Sequence, residues 1–195
     1  MEPVTHLLYL HGFRSSPLSM KARMTAAWVH AHRPDITWLC PQLPPSPRAA
    51  MAELADALAC WPHTRMAVIG SSLGGFYATA LAEQLGCRAA LLNPAVDPAR
   101  DLTRHIGETT AWHSDERFYF DAAYVDELRA IAPAELTRHE RYFAVIAKGD
   151  EVLDWREMTV RYSGCRIKLL EGSDHALGDF ADQLPDVTRF LGLSS

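Results

Sequence analysis

The sequence contains no apolar run approaching the roughly 18 residues that a membrane-spanning helix needs. Its first residues, Met1-Glu2-Pro3-Val4-Thr5, show neither a basic n-region nor an apolar h-region. A cytoplasmic protein with no membrane partner is therefore expected. The sequence also lacks paired cysteines. Cys40, Cys60, Cys87 and Cys165 stand far apart without a CxxC pair, which argues against a zinc site, and most lie in or beside apolar segments, as buried reduced thiols do. An excess of positive charge is missing too. Lys and Arg number 19 against 24 Asp and Glu, for a net charge of -5, and no basic stripe appears, so nucleic acid is not an expected partner. Repeats and low-complexity tracts are absent. The one proline-rich stretch, Pro41-Gln42-Leu43-Pro44-Pro45-Ser46-Pro47, leaves a strand end and stops at a helix start, so it reads as a stiff loop rather than a linker.

What is present suits one domain over 1–195. Of the 195 residues, 48% are apolar and 22% charged, enough to bury a sizeable core. Short β-type runs alternate with stretches of helical period, the pattern of βαβ units feeding a parallel sheet covered on both faces, so the fold class is α/β. Strands are expected at His6 to Leu10, Ile36 to Cys40, Met66 to Gly70, Ala89 to Leu92, Tyr142 to Ala147 and Arg166 to Leu170. Helices are expected at Ser19 to His32, Ser46 to Trp61, Gly74 to Leu85, Asp154 to Tyr162 and Gly178 to Leu191. The interval from Pro94 to Arg141 shows no clear strand. It reads as an inserted cap with at least one helix, near Ala122 to Ile131.

Chemistry concentrates in Gly70-Ser71-Ser72-Leu73-Gly74, a G-x-S-x-G turn between an apolar strand and a helical segment. In that context the central serine projects its hydroxyl from a strained turn, which needs small residues two before and two after it. Gly70 and Gly74 meet the demand. Ser72 is the candidate nucleophile, and Ser71, off the motif's centre, is the weaker one. The bland alternative is an ordinary strand-to-helix connection.

A serine hydroxyl needs a base, itself oriented by a carboxylate, and the elbow predicts the acid and then the histidine further along the chain. The strand running into Lys148-Gly149-Asp150 puts Asp150 at the same sheet edge, and Glu171-Gly172-Ser173-Asp174-His175 brings His175 there after the last strand. Asp154 is the rival acid, with helix capping as its ordinary role. The loop Leu10-His11-Gly12-Phe13 follows the first strand, where Phe13 N–H joins Leu73 N–H as an expected oxyanion donor, while His11 more readily holds the loop by hydrogen bonds than transfers protons. The remaining histidines read as solvated or structural. In the cap, Trp112 and Phe118 are candidate substrate-binding residues, although aromatic residues there also serve ordinary packing.

Taken together, Leu10-His11-Gly12-Phe13, Pro41-Gln42-Leu43-Pro44-Pro45, Gly70-Ser71-Ser72-Leu73-Gly74-Gly75, Asn93-Pro94-Ala95-Val96, Gly149 to Asp154 and Asp174-His175-Ala176 give a chain that resembles the YqiA family of small bacterial esterases. The resemblance implies a compact α/β-hydrolase fold lacking two N-terminal strands of larger hydrolases, with a sheet order of 2-1-3-4-5-6. It implies activity on acyl esters or acyl-CoA thioesters, with Ser72, Asp150 and His175 as the triad. The cap from Trp112 to Phe120 departs from any family pattern, which leaves substrate choice open.

The expectation is a serine esterase acting on short-to-medium acyl esters or thioesters, with no cofactor and no metal. A thioesterase would use the same residues. A C–C bond hydrolase or an acyltransferase would share the triad, and a non-catalytic ligand-binding protein on the same scaffold is the alternative of another class.

Overall fold

The computed structural model describes residues 2–110 and 117–194. Six parallel strands form one sheet: β1 (His6–Leu10), β2 (Thr37–Leu39), β3 (Met66–Ser71), β4 (Arg88–Leu92), β7 (Tyr142–Ala147) and β8 (Arg166–Leu170). Their spatial order is β2-β1-β3-β4-β7-β8, the order expected from the sequence once the sheet strands alone are counted. The register pairs Leu8 with Val68, Val68 with Ala89 and Leu91 with Ala144, so the apolar centres of the strands lie side by side.

These strands are near-continuous apolar runs because the sheet is covered on both faces. Alternate residues of one strand therefore enter two different cores. Leu8 and Leu10 of β1 pack in a core with helices α2 (Pro47–Leu58), α3 (Leu73–Leu85), α5 (Ala123–Ile131) and α6 (Trp155–Arg161). Leu7 and Tyr9 pack in the other, against α1 (Met20–His32) and α7 (Phe180–Leu191). The Ser46 hydroxyl caps α2 by accepting from Ala49 N–H at 3.1 Å, and Pro47 opens the helix where no N–H is needed. Asp154 caps α6 by accepting from Arg156 N–H at 2.9 Å. Among the described residues no helix is long and apolar enough to cross a membrane.

The insertion between β4 and β7 holds the expected helix, α5, and the short α4 (Pro98–Asp101). It also holds a feature not expected there, an antiparallel hairpin of β5 (Gly107–Thr110) and β6 (Arg117–Phe120). In β6 the alternation is real, with Phe118 half-buried and Phe120 buried between exposed Arg117 and Tyr119. Four residues are too short a run for period two to stand out, and Gly-Glu-Thr-Thr in β5 carries almost no apolar signal.

Chain order reverses direction between β1 and β3: β2 lies to one side of β1, and β3, β4, β7 and β8 follow to the other. In open parallel sheets the crevice at such a reversal, outside the carboxyl ends of the strands, is where ligands bind. Its geometry depends on α3 pressing against the strand ends, which Gly74 permits. A β-carbon there would lie 2.0 Å from Leu10 O and 2.6 Å from His11 O. Gly74→Ala is therefore expected to cost about 3 kcal/mol of stability through forced backbone displacement, read as a lower urea midpoint with an unchanged m-value.

Candidate functional site

Five loops at the carboxyl edge of the sheet converge on one open cleft of about 440 Å³. Ser72, between β3 and α3, has φ 55° and ψ −119°, a left-handed region that costs a non-glycine residue about 1–3 kcal/mol and persists only where the surroundings impose it. Here they do. Ser72 N–H donates to Leu92 O at 3.0 Å, and Ser72 O accepts from Gly75 N–H at 2.9 Å and from Ala95 N–H at 3.0 Å. Ser72 lines the cleft. Ser71 is the last residue of β3, buried at 7% exposure.

The turn after β7 positions Asp150. Its fully buried side chain accepts at Oδ1 from Val152 N–H and Leu153 N–H, both at 2.8 Å, and at Oδ2 from His175 Nδ1 at 2.7 Å. Two backbone donors thus fix the carboxylate through Oδ1, and Oδ2 faces His175. With Nδ1–H committed to Asp150, Nε2 is the acceptor nitrogen of the imidazole, whose ring lines the same cleft as Ser72. Asp154, the rival acid, has a half-exposed side chain that caps α6 and pairs with Arg156 at 3.5 Å.

The loop after β1 supplies Gly12 and Phe13, and both line the cleft with Leu73. A β-carbon on Gly12 would stand 3.2 Å from Ser72 Cβ, so this backbone passes close over the serine. Leu73 is the first residue of α3, where helix geometry leaves N–H groups unpaired and the dipole is positive. Phe13 N–H and Leu73 N–H have no backbone acceptor among the described residues. The Phe13 ring packs edge-on against Phe118 and Phe120, with centroids 5.9 and 5.4 Å apart. Phe118 thus stands behind Phe13, and the described lining of the cleft includes Phe13 but not Phe118. Trp112 lies outside the described residues.

His11 holds its loop in place. It is 4% exposed, accepts at Nε2 from Leu43 N–H at 3.1 Å, and donates from Nδ1 to Gly12 O at 2.9 Å. This ties the loop to the proline-rich segment. Both ring nitrogens are used by a neutral imidazole, and burial lowers the His11 pKa below its ordinary value of 6.5.

Several residues that organise the site carried no assigned role from the sequence. Asn93, fully buried at the end of β4 with φ 42°, donates from Nδ2 to Asp174 O at 2.9 Å and His175 O at 3.2 Å, and accepts at Oδ1 from Ala147 N–H at 2.8 Å. One carboxamide therefore joins the elbow strand's neighbour to the turn of Asp150 and the loop of His175. Glu151 accepts from His175 N–H at 3.1 Å, and the Lys21 ammonium donates to Ala176 O. An asparagine directly after an apolar strand was visible, but only the fold brings its three partners together. The cysteines play no part here: burial pushes the Cys40 and Cys87 thiols up to about 12, and neither lines the cleft.

The parallel sheet, its strand order and the strained elbow define an α/β-hydrolase fold. The chain belongs to a particular branch of it: residues 6–192 match the uncharacterised protein family UPF0227, the family of YqiA that the motifs resembled. Solved structures show the same architecture. Mouse alpha/beta hydrolase domain-containing protein 10 superposes with a TM-score of 0.69 at 13% identity, covering 98% of this chain and 92% of that one. The esterase domain of a Rhodothermus marinus protein gives 0.69 at 20% identity, covering 98% and 86%. Est1E from Butyrivibrio proteoclasticus with ferulic acid bound gives 0.69 at 14% identity, covering 96% and 87%.

Two outcomes follow for this region. Asn93→Ala strands a buried N–H and two carbonyls and puts alanine at positive φ, so it is expected to lower stability by about 3 kcal/mol in chemical denaturation. For His11 the folded pKa lies below the unfolded one, so the unfolded chain takes up the extra proton. Its contribution is complete above pH about 6.5 and is lost as pH falls toward the depressed folded value. Denaturation at pH 7.5 and pH 5.5 is expected to show a larger loss of stability on acidification in the unmodified protein than in His11→Asn.

Proposed function

We propose that this protein is a serine esterase in which Ser72 is the nucleophile, His175 the general base and Asp150 the carboxylate that orients it. The observation that carries the reading is the 2.7 Å contact of His175 Nδ1 with the buried Asp150 carboxylate, in a cleft shared with a serine held at φ 55°. Nε2 of His175 takes the Ser72 proton as Oγ attacks the ester carbonyl, and Asp150 stabilises the imidazolium that forms. The developing oxyanion is met by Phe13 N–H and Leu73 N–H, donors whose loss typically costs about a hundredfold or more in rate. His175 then delivers its proton to the departing alcohol or thiol. Water, deprotonated by the same imidazole, attacks the acyl-serine and releases the carboxylic acid, restoring Ser72. Leu73, Ala95, Leu102 and Leu153 give the cleft apolar walls that suit a short-to-medium acyl chain. The esterase domain and the ferulic-acid-bound Est1E among the similar folds agree with an ester as substrate. The chemistry calls for no metal or cofactor.

A fluorophosphonate probe is expected to label the unmodified protein and not Ser72→Ala, and equal labelling of both would remove Ser72 from the role. On aryl esters, His175→Ala and Asp150→Asn should lose about 10³-fold or more in kcat, whereas Asp154→Asn, which keeps a capping side chain, should lose little. Acyl-CoA thioesters assayed beside matched oxygen esters decide the leaving group. Turnover of neither would favour the ligand-binding alternative.

A further inference from the structure

On the α1 side of Ser72 the cleft is lined by Tyr9, Ser19, Lys21 and Ser71. This wall is polar, and the charge of Lys21 on it is incompletely matched. The Tyr9 hydroxyl is fully buried beside the Ser19 and Ser71 hydroxyls. Lys21 donates to a neutral acceptor, Ala176 O, and feels Asp174 and Asp150 only through space. Burial outweighs those two carboxylates and pulls its pKa down from 10.5 to about 8, so at neutral pH it is a cation without full compensation. The carboxylates that line the cleft are engaged elsewhere: Asp101 pairs with Arg100 at 2.8 Å, and Glu151 accepts from His175 N–H. The remaining lining charges, Arg14 and Arg104, are also positive.

The position of this wall indicates which part of a substrate would meet it. In the esterase reading His175 hands its proton to the leaving oxygen, so the alcohol portion departs on the imidazole side of Ser72. Lys21 is bonded to the residue immediately following His175 and therefore lies on that side. We propose that Lys21 forms a subsite for a carboxylate carried on the alcohol portion of the ester, a specificity that rests on the esterase reading above. One ammonium matches one carboxylate.

The test compares two aryl acetates of similar shape, 4-acetoxybenzoate and the neutral 4-acetoxybenzamide, as a ratio of kcat/KM in the unmodified protein and in Lys21→Met. Taking the ratio within each protein cancels any general loss of active enzyme. The ratio is expected to fall about tenfold or more in Lys21→Met, the size of one partly buried charge pair. Raising the pH from about 7 to about 9 should lower it in the unmodified protein without any substitution, as the ammonium deprotonates. An equal ratio in both proteins, flat across that pH range, overturns the subsite and leaves the esterase reading standing. Turnover of neither aryl acetate overturns that reading and the subsite with it.

Discussion

The close approach of α3 to the ends of β1 and β3 is the constraint on which the rest of the site depends. Gly74 lies so near the carbonyls of Leu10 and His11 that no side chain fits between them. The chain must turn from strand to helix within about one residue, and Ser72 takes up the left-handed conformation that this requires. Its cost is met by hydrogen bonds on both sides of the serine, to Leu92 O and from Gly75 and Ala95 N–H. The serine is thus fixed by backbone bonds rather than by its own side chain, and its hydroxyl remains available to the cleft.

Parallel strand direction does the remaining assembly. Every strand of the large sheet delivers its carboxyl end to the same edge, so loops separated by more than 160 residues in sequence, from Gly12 to His175, become neighbours without any of them being long. Asn93 locks three of these ends together through one buried carboxamide. The acid, the base and the serine in the proposed mechanism therefore share a scaffold whose relative positions are set by sheet pairing and by a small polar web. The loops that carry them do not have to find one another.

Much of this was legible in the linear chain because the signals are local. The six apolar runs, the helical periods and the Gly-x-Ser-x-Gly turn each depend on contacts within a few residues, and all of them appear where the spacing puts them, three of the strands with the expected bounds and the other elements with boundaries shifted by at most three residues. The hairpin in the insertion was not legible, since its strands are four residues each and one is polar throughout. Asp150 and Asp154 were both open as partners of His175. They differ in environment rather than in residue type: one carboxylate is buried against the imidazole, and the other is spent on a helix cap.

The sequence by itself determined the fold class, the order of the strands' chemistry-bearing ends and the family, because periodicity, turn motifs and their order along the chain are properties of one dimension. Tertiary structure alone decided which carboxylate faces His175, that His11 is a buried neutral strut, that Phe118 supports Phe13 from behind, and that Asn93 and Lys21 hold the loop of His175. Each of these depends on a distance or a burial between residues remote in the chain. Such quantities exist only once the sheet has closed, since a side chain's hydrogen-bond partner and its dielectric surroundings are set by what packs against it.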